Sequence, residues 1–373
     1  MIPKLHKFGL HKLLRNRRAG WASGFASAQF LISVPVISVT GRYLAAGMIA
    51  LLLAGTCPSV NAAEATKTAG AKYSAWLAEL QAEARGAGIS QKTLDSALGG
   101  IELSPRVVEL DSSQPEFKMT LDTYLNKYVS PWRRQTGLKL LQEHGELLDA
   151  VAKKYGVQKR FIVTFWGMET SYGKYLGSFN VPQALVTLAY DGRRAKFFRG
   201  ELINALRIIE QGHIQAVNMK GSWAGAMGQP QFMPSSFLNF AVDWDGDGRR
   251  DIWQTTGDVF ASAANYLAKA GWRDDMTWGR EVKIPGNLVI DGMGATKLSS
   301  SKHRKSLLNW QAAGVRNPDG SALPTRPLMA RLVIPDGVGG RAFLVYQNFD
   351  SILRWNRSNY YALAIGQLSD SLR

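Results

Sequence analysis

The run Phe161-Ile162-Val163-Thr164-Phe165-Trp166-Gly167-Met168 is apolar on every side when wound into a helix, and Glu169 ends it. A helix without a polar face has to be buried, and the carboxyl at its end is buried with it. Burial disfavours the ionised form and raises a carboxyl's pKa, which suits a general acid working near neutral pH. The negative end of the helix dipole pushes the same way. Gly173, in Thr170-Ser171-Tyr172-Gly173-Lys174, supplies a stop. The competing reading is a structural Glu paired with an arginine or capped by backbone amides, because ion-pair networks also shift carboxyl pKa values.

The first 63 residues carry seven Lys or Arg and no acid, then an apolar stretch from Leu44 to Ala54, then small residues at Val60-Asn61-Ala62-Ala63. That order reads as a long secretory leader. The apolar stretch is short of the roughly 20 residues a transmembrane helix needs. Residues 1–63 are therefore set apart from the fold. Cys57, the only cysteine, falls in this leader, which removes disulfides, thiol catalysis and Cys-ligated zinc from the mature chain. Leu53-Ala54-Gly55-Thr56-Cys57 resembles a lipoprotein cleavage site, with Thr56 where Gly or Ala is usual. Lipid or peripheral attachment to a membrane stays open.

The whole chain has 45 basic and 29 acidic residues. Removing the leader's seven leaves 38 against 29, a balance of +9. A basic exported protein suits an anionic partner such as a cell-wall polymer or membrane surface. The cations are dispersed and no nucleic-acid motif accompanies them, so nucleic acid is not expected.

Helical spacing runs through Tyr73–Arg85, and Ser90 caps Gln91–Leu98. Leu138, Leu141, Leu148, Val151 and Tyr155 form one stripe ended by Gly156. Further helices are expected over Val181–Tyr190, Ala195–Gln211 and Val259–Ala270, with a loop and then a short helix starting at Pro234. Between Arg280 and Gln347, short apolar runs among Gly and Pro predict strands. Helical spacing returns at Ser351–Leu372, with Asp350 as its cap. The expectation is a mainly α chain of α+β type: a helical region over 64–279, a small β-containing lobe over 280–347, and a C-terminal helix in 348–373 that completes the cleft.

A second signal is the loop Gly225-Ala226-Met227-Gly228-Gln229-Pro230-Gln231-Phe232-Met233-Pro234-Ser235-Ser236. Glycines let backbone approach a ligand, and Gln231 both donates and accepts hydrogen bonds. By itself the loop reads equally well as a turn plugged by Met and Phe. Taken with Met168-Glu169-Thr170-Ser171-Tyr172-Gly173, it resembles the membrane-bound lytic transglycosylase B family, from about Tyr73 to the C-terminus. The resemblance implies a lysozyme-like helical fold that cleaves bacterial peptidoglycan, with Glu169 as the sole catalytic acid/base. It implies peptidoglycan glycan strands and stem peptides as partners, with Arg193-Arg194 holding acidic parts of the substrate, the stem peptide, a task suited to Arg; a solvated charge pair is the alternative. Ser222, Gln231 and Phe232 match cleft positions on the loop, and Tyr266, Asn356 and Tyr361 match others. Tyr124 matches in looser surroundings. Trp355 departs from the family, where tyrosine is usual, which keeps an aromatic platform but puts one hydrogen bond in doubt.

A third signal is Asp243-Trp244-Asp245-Gly246-Asp247-Gly248-Arg249-Arg250-Asp251. Asp at positions one, three and five, Gly at six and Asp at nine reproduce the start of an EF-hand loop, with the Arg249 carbonyl at seven. Gln254 stands at twelve, where a bidentate Glu belongs. The resemblance implies a longer loop closed by Asp258, which also reads as a cap for the following helix. A structural Ca2+ is expected, with an acidic Asx-turn loop as the alternative. The three histidines of the mature chain lie far apart, and no G-x-S-x-G or dinucleotide fingerprint is present. Ordinary glycosidases use two carboxylates, and this sequence offers one strong candidate. The resemblance implies that the substrate's 2-acetamido group supplies the missing nucleophile. A hydrolytic muramidase and a non-catalytic wall-binding protein are the rival readings.

Overall fold

The computed structural model describes residues 62–113, 119–191, 193–300 and 302–373, with side chains from residue 70 onward. Residues 1–61, and with them the leader and Cys57, lie outside the described residues. The helical part opens with α1 (Ala62–Gly86), α2 (Gln91–Leu98), α3 (Pro105–Ser112), α4 (Leu121–Tyr128), α5 (Pro131–Glu143) and α6 (Gly145–Tyr155). It continues with α7 (Lys159–Thr170), α8 (Val181–Asp191), α9 (Ala195–Glu210), α10 (Pro234–Phe240) and α11 (Thr256–Lys269). The strands β1 (Phe179–Asn180) and β2 (Lys220–Gly221) pair between α7 and the glycine-rich loop.

Helix α7 is the axis. Phe161 to Met168 are all buried, and α5, α6, α11 and the C-terminal helix pack around them. Each fully buried large apolar side chain contributes roughly 2 kcal/mol, so this segment outweighs the cost of drawing one carboxyl inside. The helix stops at an abrupt turn: Ser171, Tyr172 and Gly173 all take positive φ, at 51°, 64° and 78°. Left-handed residues satisfy the last carbonyls of a helix, and here Tyr172 N–H donates to Trp166 O. That reversal folds Tyr172 back beneath Gly167, where a Cβ would meet the Tyr172 ring at 2.5 Å. The close approach requires glycine there.

The lobe is built from β3 (Gly279–Val282), β4 (Val289–Ile290), β5 (Met293–Gly294), α12 (Ala295–Ser300), β6 (Lys305–Ser306), α13 (Leu307–Ala312), β7 (Met329–Val333) and β8 (Ala342–Val345). Its main sheet runs in the order β3-β8-β7-β6, with every pair antiparallel. All four residues of β8 are buried, because the sheet is covered on both faces. Phe343 and Val345 join the helical core, while Ala342 and Leu344 join a separate core with Trp310, Leu307 and Leu298. Side chains alternate across a strand, so one strand serves two cores. The chain then closes with α14 (Gln347–Trp355) and α15 (Asn359–Asp370).

Two expected stripes are each two helices. His144 separates α5 from α6, and its ring packs edge-on against Trp166 and Phe260; the apolar spacing carries on across the break, so periodicity alone cannot reveal it. Ser351–Leu372 is likewise broken at Asn356-Arg357-Ser358, and Ser358, not Asp350, caps α15 by accepting Tyr361 N–H. Asp350 lies inside α14 and pairs with Arg304 and Arg331. The break has a purpose: it brings Trp355, ending α14, and Tyr361, beginning α15, onto the same carboxyl.

Candidate active site

Glu169 Oε1 accepts two hydrogen bonds, from Trp355 Nε1 at 2.8 Å and from the Tyr361 hydroxyl at 2.5 Å. Oε2 takes none among the described residues. The carboxyl is pushed up to about 7 by burial, which outweighs the lowering effect of the Tyr361 and Trp355 donors. Glu169 keeps partial solvent access, as a group that must reach substrate has to. No other acid and no cation among the described residues contributes to its shift, so the structural reading of an Arg-paired Glu does not hold. At position 355, where the loss of a hydroxyl put one hydrogen bond in doubt, the indole N–H donates to Glu169.

Aromatic rings line this carboxyl. The Trp355 ring lies 4.6 Å from Phe165, 4.7 Å from Tyr266 and 5.2 Å from Phe232. Tyr266 donates its hydroxyl to Arg354 O and is pushed up to about 12 by burial. Tyr361 is raised well above its ordinary value, by burial first and then by Glu169. Tyr124 is raised by burial, then by Tyr128 and Glu169, which puts it within electrostatic reach of the acid. Its hydroxyl is buried and has no hydrogen-bond partner among the described residues. A buried donor left unpaired costs roughly 1–3 kcal/mol. Asn356 is buried and accepts Ser358 N–H through Oδ1, which shapes the turn between α14 and α15.

The glycine-rich loop forms the facing wall. Ser222 Oγ accepts Ala226 N–H at 3.0 Å and so braces the turn over 222–226. Met227 and Phe232 exchange backbone hydrogen bonds, and Gln231 between them sits at φ 50°. Holding a non-glycine residue there costs of order 1–2 kcal/mol. The Gln231 amide donates to Leu176 O and Gly228 O, which fixes its side chain against the loop leaving α7.

Sequence reasoning passed over Gln229. Its Oε1 accepts Trp166 Nε1 at 2.6 Å, its carbonyl accepts Thr170 Oγ1 at 3.0 Å, and its Nε2 donates to Trp253 O at 2.9 Å. It therefore ties the loop, the catalytic helix and the end of the acidic loop together. A polar residue flanked by Gly228 and Pro230 was the available signal.

Arg193 and Arg194 are not brought to Glu169 by any contact. Arg193 grips the buried Asp111 with both nitrogens of its fork, Nη2 at 2.9 Å from Oδ1 and Nε at 3.3 Å from Oδ2. Arg194 Nη2 stands 3.6 Å from the same Asp111 Oδ1, and its guanidinium lies over the Phe198 ring. The pair fastens the turn between α8 and α9 to α3, while the Arg193 side chain stays 61% exposed.

In the acidic loop, the carboxylates of Asp243, Asp245 and Asp258 bring one oxygen each within 4.8 Å of one another. Asp243 accepts Gly246 N–H and Gly248 N–H, and Asp258 accepts Trp244 N–H and Asp251 N–H. Asp258 lies within the first turn of α11 and joins both ends of the loop to that helix. It is not the N-cap, which is Thr255. Asp247 and Arg249 lie outside the three-carboxylate group: Asp247 accepts Arg249 N–H, and the Arg249 guanidinium faces Asp251 at 3.5 Å. Three converging hard oxygens fit a calcium ion.

A carboxyl of raised pKa at the end of a buried helix, walled by aromatic rings and a glycine-rich loop, is the arrangement of the lysozyme-like fold class. Within that class the chain belongs to the transglycosylase SLT domain family, whose model matches residues 72–370. Membrane-bound lytic murein transglycosylase B of Escherichia coli (strain K12) is 32% identical over 250 residues, which are 67% of this chain and 66% of that protein. SltB3 from Pseudomonas aeruginosa, solved with NAG-anhNAM-pentapeptide, superposes with a TM-score of 0.76 at 42% identity, covering 80% of this chain and 79% of that one. The Escherichia coli lytic transglycosylase Slt35, solved with calcium, superposes at 0.66 with 29% identity over 79% of this chain and 90% of that one. No helix among the described residues is long and apolar enough to cross a membrane.

Proposed function

We propose that this protein is a peptidoglycan lytic transglycosylase that cleaves the β-1,4 bond from N-acetylmuramic acid to N-acetylglucosamine and leaves a 1,6-anhydro end. The observation that carries the reading is a single carboxyl at the end of the buried helix α7, its Oε1 held by Trp355 and Tyr361 and its pKa raised by burial, with no second carboxylate among the groups acting on it. Two-carboxylate glycosidases hold the pair about 5–9.5 Å apart, close enough for each to perturb the other.

The Oε2 proton passes from Glu169 to the glycosidic oxygen as the bond to C1 breaks. The sugar's own 2-acetamido carbonyl stabilises the electron-poor C1. Glu169, now a carboxylate steadied by Trp355 and Tyr361, takes the proton of the muramic acid 6-hydroxyl. That oxygen then bonds to C1, the anhydro ring closes, and no water is consumed. One group of raised pKa serves as acid and then as base. Tyr266, half-buried, offers an apolar face to a sugar ring, the buried Phe232 and Trp355 back it, and Gln231 and Ser222 form a braced wall beside Tyr124. The exposed face of Arg193 is the available contact for acidic stem peptides.

The likeness to a calcium-bound relative and the three carboxylates support a structural ion held by Asp243, Asp245 and Asp258, with the Arg249 carbonyl and Asp247 completing the loop. A bound ion would cancel the mutual repulsion of these carboxylates. The basic leader and its small-residue end support export to the periplasm, with Cys57 as the point of attachment if the chain is lipidated.

The test is mass spectrometry of fragments released from purified sacculi. Anhydromuropeptides are expected. Products heavier by one water would turn the reading into a hydrolytic muramidase, and binding without release would turn it into a wall-binding protein.

A further inference from the structure

The geometry points to Trp355 as a positioning residue that assigns the working proton to Oε2 of Glu169, an inference that rests on Glu169 being the acid/base. Two donors converge on Oε1, and they differ in kind. The Tyr361 hydroxyl both donates and accepts, so it can turn to suit either placement of the proton. The indole N–H only donates. With a proton on Oε1, Trp355 would still aim its hydrogen at that oxygen and meet a poorer acceptor. With the proton on Oε2, both lone pairs of Oε1 are matched. Trp355 has no freedom to escape this role: it is 1% exposed and wedged among Phe165, Tyr266 and Phe232. Oε2, to which no described residue donates a hydrogen bond, is thus left as the atom that gives and retakes the proton.

The groups around this carboxyl that could titrate are tyrosines, and the cation beside them, Arg133, stays charged throughout. Tyr361 and Tyr124 face Glu169, Tyr266 faces Tyr361, and the Arg133 guanidinium lies at the same helix end, donating to Gly167 O and Ser171 Oγ. None of them ionises below about pH 10, so any titration of the site near neutrality belongs to Glu169. Trp355 stabilises the ionised product of the first proton transfer, and its removal must act in two linked ways. The carboxyl becomes a weaker acid, and the ion it leaves behind is less well held.

The experiment has two arms. In Trp355→Phe the ring is kept and the donor lost. The alkaline limb of kcat should move up by about one pH unit and the kcat plateau fall about tenfold, as loss of one charge-assisted hydrogen bond implies. KM should change little, and Trp355→Tyr should restore the limb. In the second arm, wild-type protein carries 15N in its tryptophan side chains. One indole resonance should titrate with the same midpoint as the activity, and Glu169→Gln should abolish that titration. A limb that does not move in folded Trp355→Phe overturns the proposal. So does an unresponsive set of indole resonances, which settles the matter even when the variant does not fold. Anhydro product from Glu169→Gln would sink the catalytic reading itself, a separate failure.

Discussion

Glu169→Gln keeps the shape of the side chain and removes its acid. Loss of general acid/base help costs about 10²–10⁴-fold, and release of anhydromuropeptides should fall by the upper figure or more, since one group serves both transfers. The same substitution should change stability in a pH-dependent way. The folded carboxyl titrates near 7 against an ordinary 4.5. Below 4.5 it is neutral in both states and nothing is lost; between 4.5 and about 7 the unfolded chain releases its proton first, and the fold loses stability as pH rises. Above 7 the full penalty stands, up to about 3 kcal/mol. Melting curves of wild type and Glu169→Gln should therefore nearly coincide at pH 4 and separate by pH 8, with the variant the more stable; parallel curves would contradict the buried-acid assignment. Glu169 was legible because an all-apolar helix leaves its terminal carboxyl no place but inside. The Asp111 partnership of Arg193 was not, because the two lie 82 residues apart and a double arginine reads alike whatever it grips. Nor does a sequence give the direction of an indole, so the donor at Trp355 went unforeseen.

Elements were legible where a cap or stop marked them. Ser90, Gly156 and Pro234 each bound a helix as expected. Breaks that keep the apolar spacing, at His144 and at Asn356-Arg357-Ser358, left no trace in periodicity. The acidic loop was legible by its spacing, but not the division of labour among its carboxylates. Asp245 makes only a long contact with Asp247 N–H, at 3.4 Å, and one with Asp243 within the loop, whereas Asp258 cross-links the loop to α11 through two backbone amides. Calcium at millimolar concentration should raise the melting temperature of wild type, since a ligand selective for the folded state stabilises it. Asp245→Ala should lose that rise and melt like the wild type without calcium. Asp258→Ala should melt lower even in chelator, by roughly 1–3 kcal/mol for the amides left unpaired. Equal behaviour of the two variants would refute this division. In α7, Gly167→Ala should cost roughly 1–3 kcal/mol through overpacking on Tyr172, measurable by urea denaturation.

At the scale of the molecule, the lobe reaches over to the cleft. Asp336 accepts the Leu121 backbone N–H at the start of α4 and the Tyr360 hydroxyl of α15, while Arg341 joins Glu281 to Asp122. Helix α4 carries Tyr124, so Asp336→Ala should weaken hydrogen-exchange protection at Leu121 and lower activity without unfolding either core; unchanged protection would rule the clamp out. The change from helices to short strands was legible from composition, but the burial of β8 on both faces was not. An enzyme engineer seeking a smaller catalyst would be tempted to replace residues 280–347 with a short linker. That edit would strip Phe343 from the Trp278 ring, 6.2 Å away, and Trp278 packs so tightly on Gly366 of α15 that a Cβ there would lie 2.3 Å from it. The helix presenting Tyr361 to the acid would lose its backing, so trimming the lobe amounts to cutting into the catalyst.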